Sequence, residues 1–591
     1  MADYPFDADY ILQNKRALKK KLRSTEGLLP KKIALLGATT IGAIKDILEI
    51  FLLERGIAPE FYEGDYNRFY EEVVFGEQSL RDFAPDVIYI HTSVRAIELP
   101  HAGATPEQAQ SLLDETYAHY EAVWSAAAQN FGCAVIQDNF EYPRIRVTGS
   151  YEAVSPAGRV RFINRLNERI AQYAETHKSF YINDLNWLAA YHGLEGFCDT
   201  TAWNAYKYSV SPAMVPYLCH SVACIIQSLF GKNKKALMLD LDNTLWGGVI
   251  GDDGVEGIRL GIESPEGMAY SELQSYAAEL PRIGILLGVC SKNDDKTARS
   301  GFDHPSSVLK VDDFASFKAN WDSKDRNLAQ SAKDLNIGTD ALVLADDNPA
   351  ERELVRASGL GVAVPELGEP EYYAETVANA GYFEVTSLSA DDLGRAEMYR
   401  ENARRAASEA SFADYGEYLR SLEMKAYMSP FTDGAAERLT QLANKTNQFN
   451  LTTRRYAPGE LMATAGDGAH ISIAARLEDR FGDNGIVSEL LARTEGKSAE
   501  IELWLMSCRV FKRELELAVF DELVRQCRER GITEIKGRYI PTAKNKIVEG
   551  FYRSIGFESA GSEGNAALWR FAIPQEYKNK TDAMEVIHEQ R

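Results

Sequence analysis

Apolar residues in this chain fall into short runs that end abruptly in polar ones. Ala236 to Leu241 is such a run, closed by Asp240-Leu241-Asp242. An apolar run of this length reads as a buried parallel strand. Its two carboxylates then fall at the carboxyl edge of a sheet, where open α/β sheets place their sites. Gly284 to Cys290 is a second run and stops at Ser291-Lys292-Asn293. Ala341 to Ala345 is a third and stops at Asp346-Asp347-Asn348-Pro349. Helical patterns such as Glu266 to Glu279 fill the intervals, which predicts a doubly wound sheet with its polar groups along one edge. Gly247-Gly248 and Asp252-Asp253-Gly254 bracket an expected hairpin over the end of the first strand.

The same reading extends to both sides. Residues 9–24 predict an amphipathic helix with a basic end, KRALKKKLR, whose charges read as a solvated face or a patch for an acidic partner. Lys32 to Gly37, Asp86 to Ile90, Cys133 to Ile136 and Phe180 to Ile182 are strand candidates separated by helical patterns, again a parallel sheet. Residues 389–423 are rich in Ala, Glu and Arg and predict a helical connector. From Met424 the order is a helix (Glu437 to Thr446), strands at Ala469 to Glu478, Ile486 to Arg493 and Ala499 to Ser507, and a long helix (Arg513 to Arg530). That is an α+β order. The chain is therefore expected to be an α/β multidomain protein divided at 1–231, 232–385, a connector 386–423, 424–573 and a charged tail 574–591.

Composition narrows the classes. At 591 residues with 45% apolar content, several full cores can form. Lys plus Arg total 65 against 87 Asp plus Glu, a net charge of −22, which argues against a general nucleic-acid binder. The 7 cysteines show neither a C-x-x-C pair nor zinc spacing, as expected of reduced thiols in a cytoplasmic protein. The acidic start MADYPFDADY predicts no signal peptide, and no run approaches the roughly 20 apolar residues that span a bilayer, so no membrane partner is expected.

The strand ends carry the chemistry. Asp240 and Asp346 can hold a hard divalent ion, since Mg2+ needs few carboxylates when a phosphate supplies further oxygens. Ser291 and Lys324 can hold the remaining phosphate oxygens, one by hydrogen bond and one by charge. These segments resemble, in order and spacing, the motifs of the haloacid dehalogenase (HAD) phosphatase superfamily, and DLDNTLWGGVIGDDGVEGIRLG is similar to its FkbH-like branch. The resemblance implies that Asp240 is nucleophile and metal ligand. It implies that Asp242 is the general acid/base, with its backbone carbonyl on the metal. Ser291 and Lys324 would bind phosphate, and Asp346 would ligate the metal with Asp347 beside it. Thr244 and Asn293 are further candidates for holding the bound group. The intervals between the motifs leave no room for a cap domain, so an open site is expected.

The flanking modules resemble two other families. The first is similar to the SGNH-hydrolase-like domain of FkbH-like proteins, but Ala38-Thr39 stands where the nucleophilic serine belongs, and Asp184-Leu185-Asn186-Trp187 stands where Asp-x-x-His belongs. It is expected to bind or scaffold without hydrolysing. The last module looks like the GNAT acyltransferase fold, and NKIVEGFYRSIGF is similar to that family's final motif. Its pyrophosphate turn, however, reads Arg509-Val510-Phe511-Lys512-Arg513-Glu514, with long side chains at both glycine positions. Arg509, Lys512 and Arg513 are then expected to face an acidic carrier protein in place of free coenzyme A. Cys508, just before that turn, and Cys290, just before Ser291, are the two thiols weighed as acyl carriers against ordinary core packing. By resemblance, the whole is expected to dephosphorylate a phosphorylated C3 substrate, 1,3-bisphosphoglycerate. It would load the glyceryl unit as a thioester onto the phosphopantetheine arm of an acyl carrier protein.

Overall fold

The structure is a computed structural model and describes residues 4–388, 405, 412, 414–456 and 459–589. It divides into two compact units, Met1–Lys232 and Asn233–Arg591.

The first unit is built on a parallel sheet of β1 (Leu29–Gly37), β2 (Ile57–Glu63), β3 (Val87–His91), β4 (Ala134–Asp138) and β5 (Phe180–Asn183) in the order β2-β1-β3-β4-β5. Successive side chains of a strand face opposite sides, and the core divides accordingly. Ile33, Leu35, Val87 and Tyr89 pack with helices Gly42–Glu54 and Val215–Leu229, whereas Ala34, Leu36, Ile88 and Ile90 pack with helices Pro106–Asn130 and Arg159–Thr176. β2 escaped the sequence reading because it is an edge strand, with only Ile57 of its seven residues fully buried. The basic helix Ala8–Arg23 keeps Arg16, Lys20 and Lys21 exposed on a solvated face, while its other cations are paired. Lys15 and Lys19 pair with Asp46, and Arg23 with Glu49, on the neighbouring helix. Pro212–Leu229 is long and apolar enough to cross a membrane by length and composition alone, but 67% of it is buried inside this unit as a core helix.

The second unit holds two sheets. The smaller is parallel, with β6 (Ala236–Leu239), β7 (Leu286–Ser291), β8 (Ser316–Ala319) and β9 (Leu342–Ala345) in the order β8-β7-β6-β9. All four residues of β6 and of β9 are buried, which explains why these strands read as unbroken apolar runs. The expected hairpin after β6 is instead a short helix, Ile250–Gly257, closed by a bridge between Gly247 and Arg259. Asp253 accepts the Val249 amide (2.8 Å) and so caps a turn that the sequence reading took for a strand connection.

The larger sheet contains β10 (Met424–Ser429), β11 (Phe449–Asn450), β12 (His470–Asp479), β13 (Gly482–Glu495), β14 (Ser498–Met506), β15 (Glu534–Tyr539), β16 (Glu558–Glu563), β17 (Ala566–Ala572) and β18 (Met584–His588). β10, β12, β13 and β14 run antiparallel in turn, and β15 is parallel to β14 only over Ser498–Glu500. Beyond Glu500 the two strands part, and β11 fills the gap by pairing with Leu505 and Met506. The expected charged tail 574–591 contains β18, which pairs with β10 at the sheet edge. Its alternating, half-buried residues made it look like a solvated segment. Most of the expected connector 386–423 lies outside the described residues.

Candidate active site

The acids gather at the carboxyl edge of the four-stranded sheet. Asp240 directly follows β6 and Asp346 directly follows β9, two neighbouring parallel strands, so their side chains emerge side by side. The Asp240 amide donates to the Ala345 carbonyl (3.0 Å), which fixes this register at the strand ends. Carboxylate oxygens of Asp240, Asp346 and Asp347 all lie within 4.8 Å of one another. Lys324, at the start of helix Lys324–Asp334 and only 2% exposed, reaches between them: Nζ is 2.8 Å from Asp240 Oδ2 and 2.5 Å from Asp346 Oδ2. Burial works against its charge, but the two carboxylates prevail and hold the ammonium above its ordinary pKa. Burial and the nearby Asp240 push Asp346 up to about 6 against the pull of Lys324. Burial also raises Asp347.

The residues fit a hard divalent ion. Asp240 Oδ1 is buried without a hydrogen-bond partner, an expensive condition that a cation or a phosphoryl group would relieve. Three carboxylates with one spare oxygen suit Mg2+, which prefers a few carboxylates, water and substrate phosphate. Thr244 donates to Asp347 Oδ1 (3.2 Å) and accepts the Asp347 amide (3.1 Å), so it holds this carboxylate in place.

Asp242 is held apart from the three. Its Oδ1 accepts Trp246 Nε1 (2.9 Å) and the Ile250 amide (3.0 Å), and its Oδ2 accepts Asn293 Nδ2 (3.0 Å). Asn293 thus serves this carboxylate directly. Burial raises the Asp242 pKa, with Asp240 and Asp252 adding to it, a direction that favours a protonated acid. Its side chain is outside the carboxylate cluster, so any metal contact rests on its main chain. Ser291 ends β7 at the same edge, and its carbonyl accepts the Asn320 amide (3.2 Å).

Two contributors were missed by sequence reasoning. Trp246 is fully buried and orients Asp242 through its indole N–H. Arg352 donates to the carbonyls of Asp346 (2.8 Å) and Asp347 (2.6 Å) and so fixes the acidic turn. Both lie inside the strings that carried the resemblance, DLDNTLW and DDNPAER, but nothing in their spacing reveals a hydrogen bond. Among the described residues no folded module is inserted between the motifs. The helix Ile250–Gly257 is the local cover, and Trp321, next to Asn320, is 77% exposed at the rim.

The thiols are not gathered here. Cys290 is fully buried on the other side of its strand, its Sγ 3.7 Å from the Lys324 carbonyl, and burial pushes its thiol up to about 12. That corrects its candidacy as a nucleophile, because a sealed, protonated thiol is inert. Cys508 is partly exposed, and its carbonyl accepts Asn336 Nδ2. Asn336 precedes β9, whereas Asp346 follows it, so Cys508 meets this module at the edge opposite the acids. Four strand residues alone separate the two ends by roughly 13 Å. Around Cys508 the cationic face is smaller than expected. Arg513 is buried and paired with Asp479 (2.9 Å), while Arg509 and Lys512 remain partly or fully exposed. Lys512 (φ 64°) and Glu514 (φ 62°) keep the left-handed conformation that glycine adopts most readily. The end of β14, next to Cys508, is paired with Phe449–Leu451 of the same chain.

The model of the FkbH N-terminal domain matches residues 32–227. Among solved structures, the N-terminal part of BF1531 from Bacteroides fragilis, containing a phosphatase domain and complexed with Mg, is 31% identical with a TM-score of 0.59. It covers 63% of this chain and 99% of its own. The ribosomal-protein-S18-alanine N-acetyltransferase of Escherichia coli is 12% identical with a TM-score of 0.21, covering 26% of this chain and 99% of its own. That second likeness is too slight to build on. No curated protein matches the chain. The acids, the buried lysine and the parallel sheet define an enzyme of the HAD phosphatase class. Within it, this chain belongs to the FkbH-like phosphatases.

Proposed function

We propose that this enzyme is a magnesium-dependent phosphatase that acts on an acyl phosphate, the glyceryl group of 1,3-bisphosphoglycerate, and loads the acyl unit as a thioester onto an acyl carrier protein. The observation that carries the phosphatase step is the cluster of Asp240, Asp346 and Lys324 at an open sheet edge. Asp240 attacks the phosphorus of the C3 phosphate ester, and the P–O bond to the C3 oxygen breaks as Asp242 protonates that oxygen. The raised pKa of Asp242 suits that donation. Water then frees phosphate from the aspartyl phosphate. The acyl phosphate stays intact until a thiol attacks its carbonyl carbon and displaces phosphate, leaving the thioester. Asp240, Asp346 and Asp347 would hold Mg2+, which would supply charge neutralisation for the phosphate oxygens. Lys324 and Ser291 hold the phosphoryl group in line.

The carrier step rests on the resemblance to FkbH-like proteins and on two features of this chain. The site is uncapped, and the exposed Trp321 at its rim gives a protein partner something to grip. Cys508 is the thiol retained as a candidate, since it is partly exposed whereas Cys290 is sealed. Its place at the far edge means that an acyl group would have to travel on a mobile arm. In this reading the acidic composition and the scattered cysteines go with a cytoplasmic enzyme.

The test is to incubate the enzyme with 1,3-bisphosphoglycerate and a phosphopantetheinylated carrier and weigh the carrier by mass spectrometry. A glyceryl increment on the carrier together with phosphate release supports the proposal. Phosphate release with an unchanged carrier mass reduces it to a phosphatase of a small phosphorylated metabolite.

A further inference from the structure

The carboxyl edge of the first sheet holds a second group of reactive side chains, made from residues outside the hydrolase positions that the sequence leaves empty. His91 ends β3, Asp138 ends β4, and Ser209 lies in the segment after helix Thr200–Tyr206. His91 Nδ1 is 2.5 Å from Asp138 Oδ2, and His91 Nε2 is 2.7 Å from Ser209 Oγ. All three are at most 2% exposed. Asp138 also accepts Tyr89 OH (3.0 Å) and Asn183 Nδ2 (2.7 Å), so its carboxylate is fully served by donors and orients the imidazole. Thr39, just after β1, lies 3.2 Å from Ser209 Oγ. β1 and β3 are the neighbours between which the strand order reverses, the place where open α/β sheets bind their ligands.

A carboxylate–imidazole–hydroxyl chain is the arrangement that turns a serine into a nucleophile, and it is recognised by geometry irrespective of sequence order. We propose that Ser209, His91 and Asp138 form a second catalytic site that takes an acyl group from an ester or thioester. Ser209 Oγ attacks the acyl carbonyl carbon and passes its proton to His91 Nε2. The bond to the leaving oxygen or sulfur then breaks, and His91 returns the proton to it. An acyl ester remains on Ser209, which water or a second thiol releases by the same steps in reverse. Asp138 acts as a positioning residue.

Ser209 closely follows an exposed strap in the chain. Residues 204–207 are exposed, and the strap is clipped down by Thr40, whose amide donates to the Lys207 carbonyl (3.2 Å) and whose Oγ1 donates to the Tyr206 carbonyl (2.7 Å). Lys207 sits at φ 59°, a left-handed conformation uncommon for residues other than glycine. In this proposal the strap lifts to admit the acyl group to the hydroxyl.

The inference does not depend on the carrier-loading reading and is tested separately. The full chain is treated with an alkyl fluorophosphonate, a probe that reacts with activated serines, and analysed by intact mass and peptide mapping. One adduct on Ser209 is expected, absent in Ser209→Ala and formed at least about a hundredfold more slowly in Asp138→Asn. Folding of each variant is checked by circular dichroism and melting. Thr40→Val, which removes one clip, should speed labelling severalfold. An unlabelled wild-type chain, or an adduct that persists in Ser209→Ala, would overturn the proposal and leave a buried structural network. An unchanged rate in Thr40→Val would overturn the strap.

Discussion

Lys324 Nζ stands 2.8 Å from Asp240 Oδ2 in a site where the lysine is only 2% exposed, with Asp346 a further partner on the same nitrogen. The ammonium holds together two carboxylates that would otherwise repel each other. Removing one member of such a buried group leaves uncompensated charge and costs about 3–5 kcal/mol. Lys324→Met should therefore melt markedly earlier than wild type in EDTA. Saturating Mg2+ should restore part of the loss, since the cation supplies charge at the same oxygens. Equal destabilisation with and without Mg2+ would mean that the carboxylates do not bind the ion.

Trp246 prepares the acid. Its indole N–H is one of three donors on Asp242, and its ring packs edge-on against Phe302 at 5.3 Å. Trp246→Phe keeps most of the ring and deletes the donor. A lost hydrogen bond to a charged group is worth about 1.5–3 kcal/mol, so kcat for phosphate release should fall at least about tenfold while KM stays within twofold. A rise in KM alone would assign Trp246 to substrate binding.

Glu489 gives a pH-dependent expectation in the last module. It lies on β13, fully buried, between Ala474 and Leu505 on the flanking strands, and neither carboxylate oxygen has a hydrogen-bond partner. Burial raises its pKa well above 4.5, against a weaker opposing pull from Arg438. The folded chain therefore holds this proton to higher pH than the unfolded chain does. Its stabilising effect is complete below the unfolded pKa and is lost as pH rises from there through the folded pKa, by up to about 1.4 kcal/mol per pH unit. Glu489→Gln cannot titrate. The difference in melting temperature, variant minus wild type, should be more positive at pH 8 than at pH 5, and a pH-independent difference would show that Glu489 ionises freely.

What could be read from the sequence follows from locality. The runs ALMLDLD, GILLGVCS and ALVLADD each carry their own strand and its terminal polar groups, so β6, β7 and β9 and their acids were legible residue by residue. β2 and β18 were not, because half-exposed edge strands lack a continuous apolar run. β8 is only four residues long, with Phe317 and Lys318 partly exposed, and left no signal ahead of Lys324. The positions of Trp246 and Arg352 depend on side-chain hydrogen bonds that no periodicity encodes. His91, Asp138 and Ser209 are brought together only by strand order, at sequence separations of 47 and 118 residues.

Trp321 separates the two functional readings. It is exposed, and the neighbouring Asn320 is bonded to the Ser291 carbonyl, so its loss should leave the chemistry intact. Trp321→Ala should release phosphate from a small phosphate ester within twofold of wild type, while KM for a carrier protein rises at least about tenfold. No change in carrier KM would remove this indole from the docking surface.

The most direct test of the site is phosphate release by wild type and Asp240→Asn, each assayed in Mg2+ and in EDTA. An amide at position 240 can neither attack phosphorus nor ligate the cation well. Turnover should fall about a thousandfold or more, as losses of a covalent nucleophile do, with the melting profile of the variant still cooperative and wild-type turnover lost in EDTA. If Asp240→Asn kept half of the wild-type turnover, or if EDTA left the wild type active, the assignment of Asp240 and its neighbours as the phosphatase centre would be contradicted.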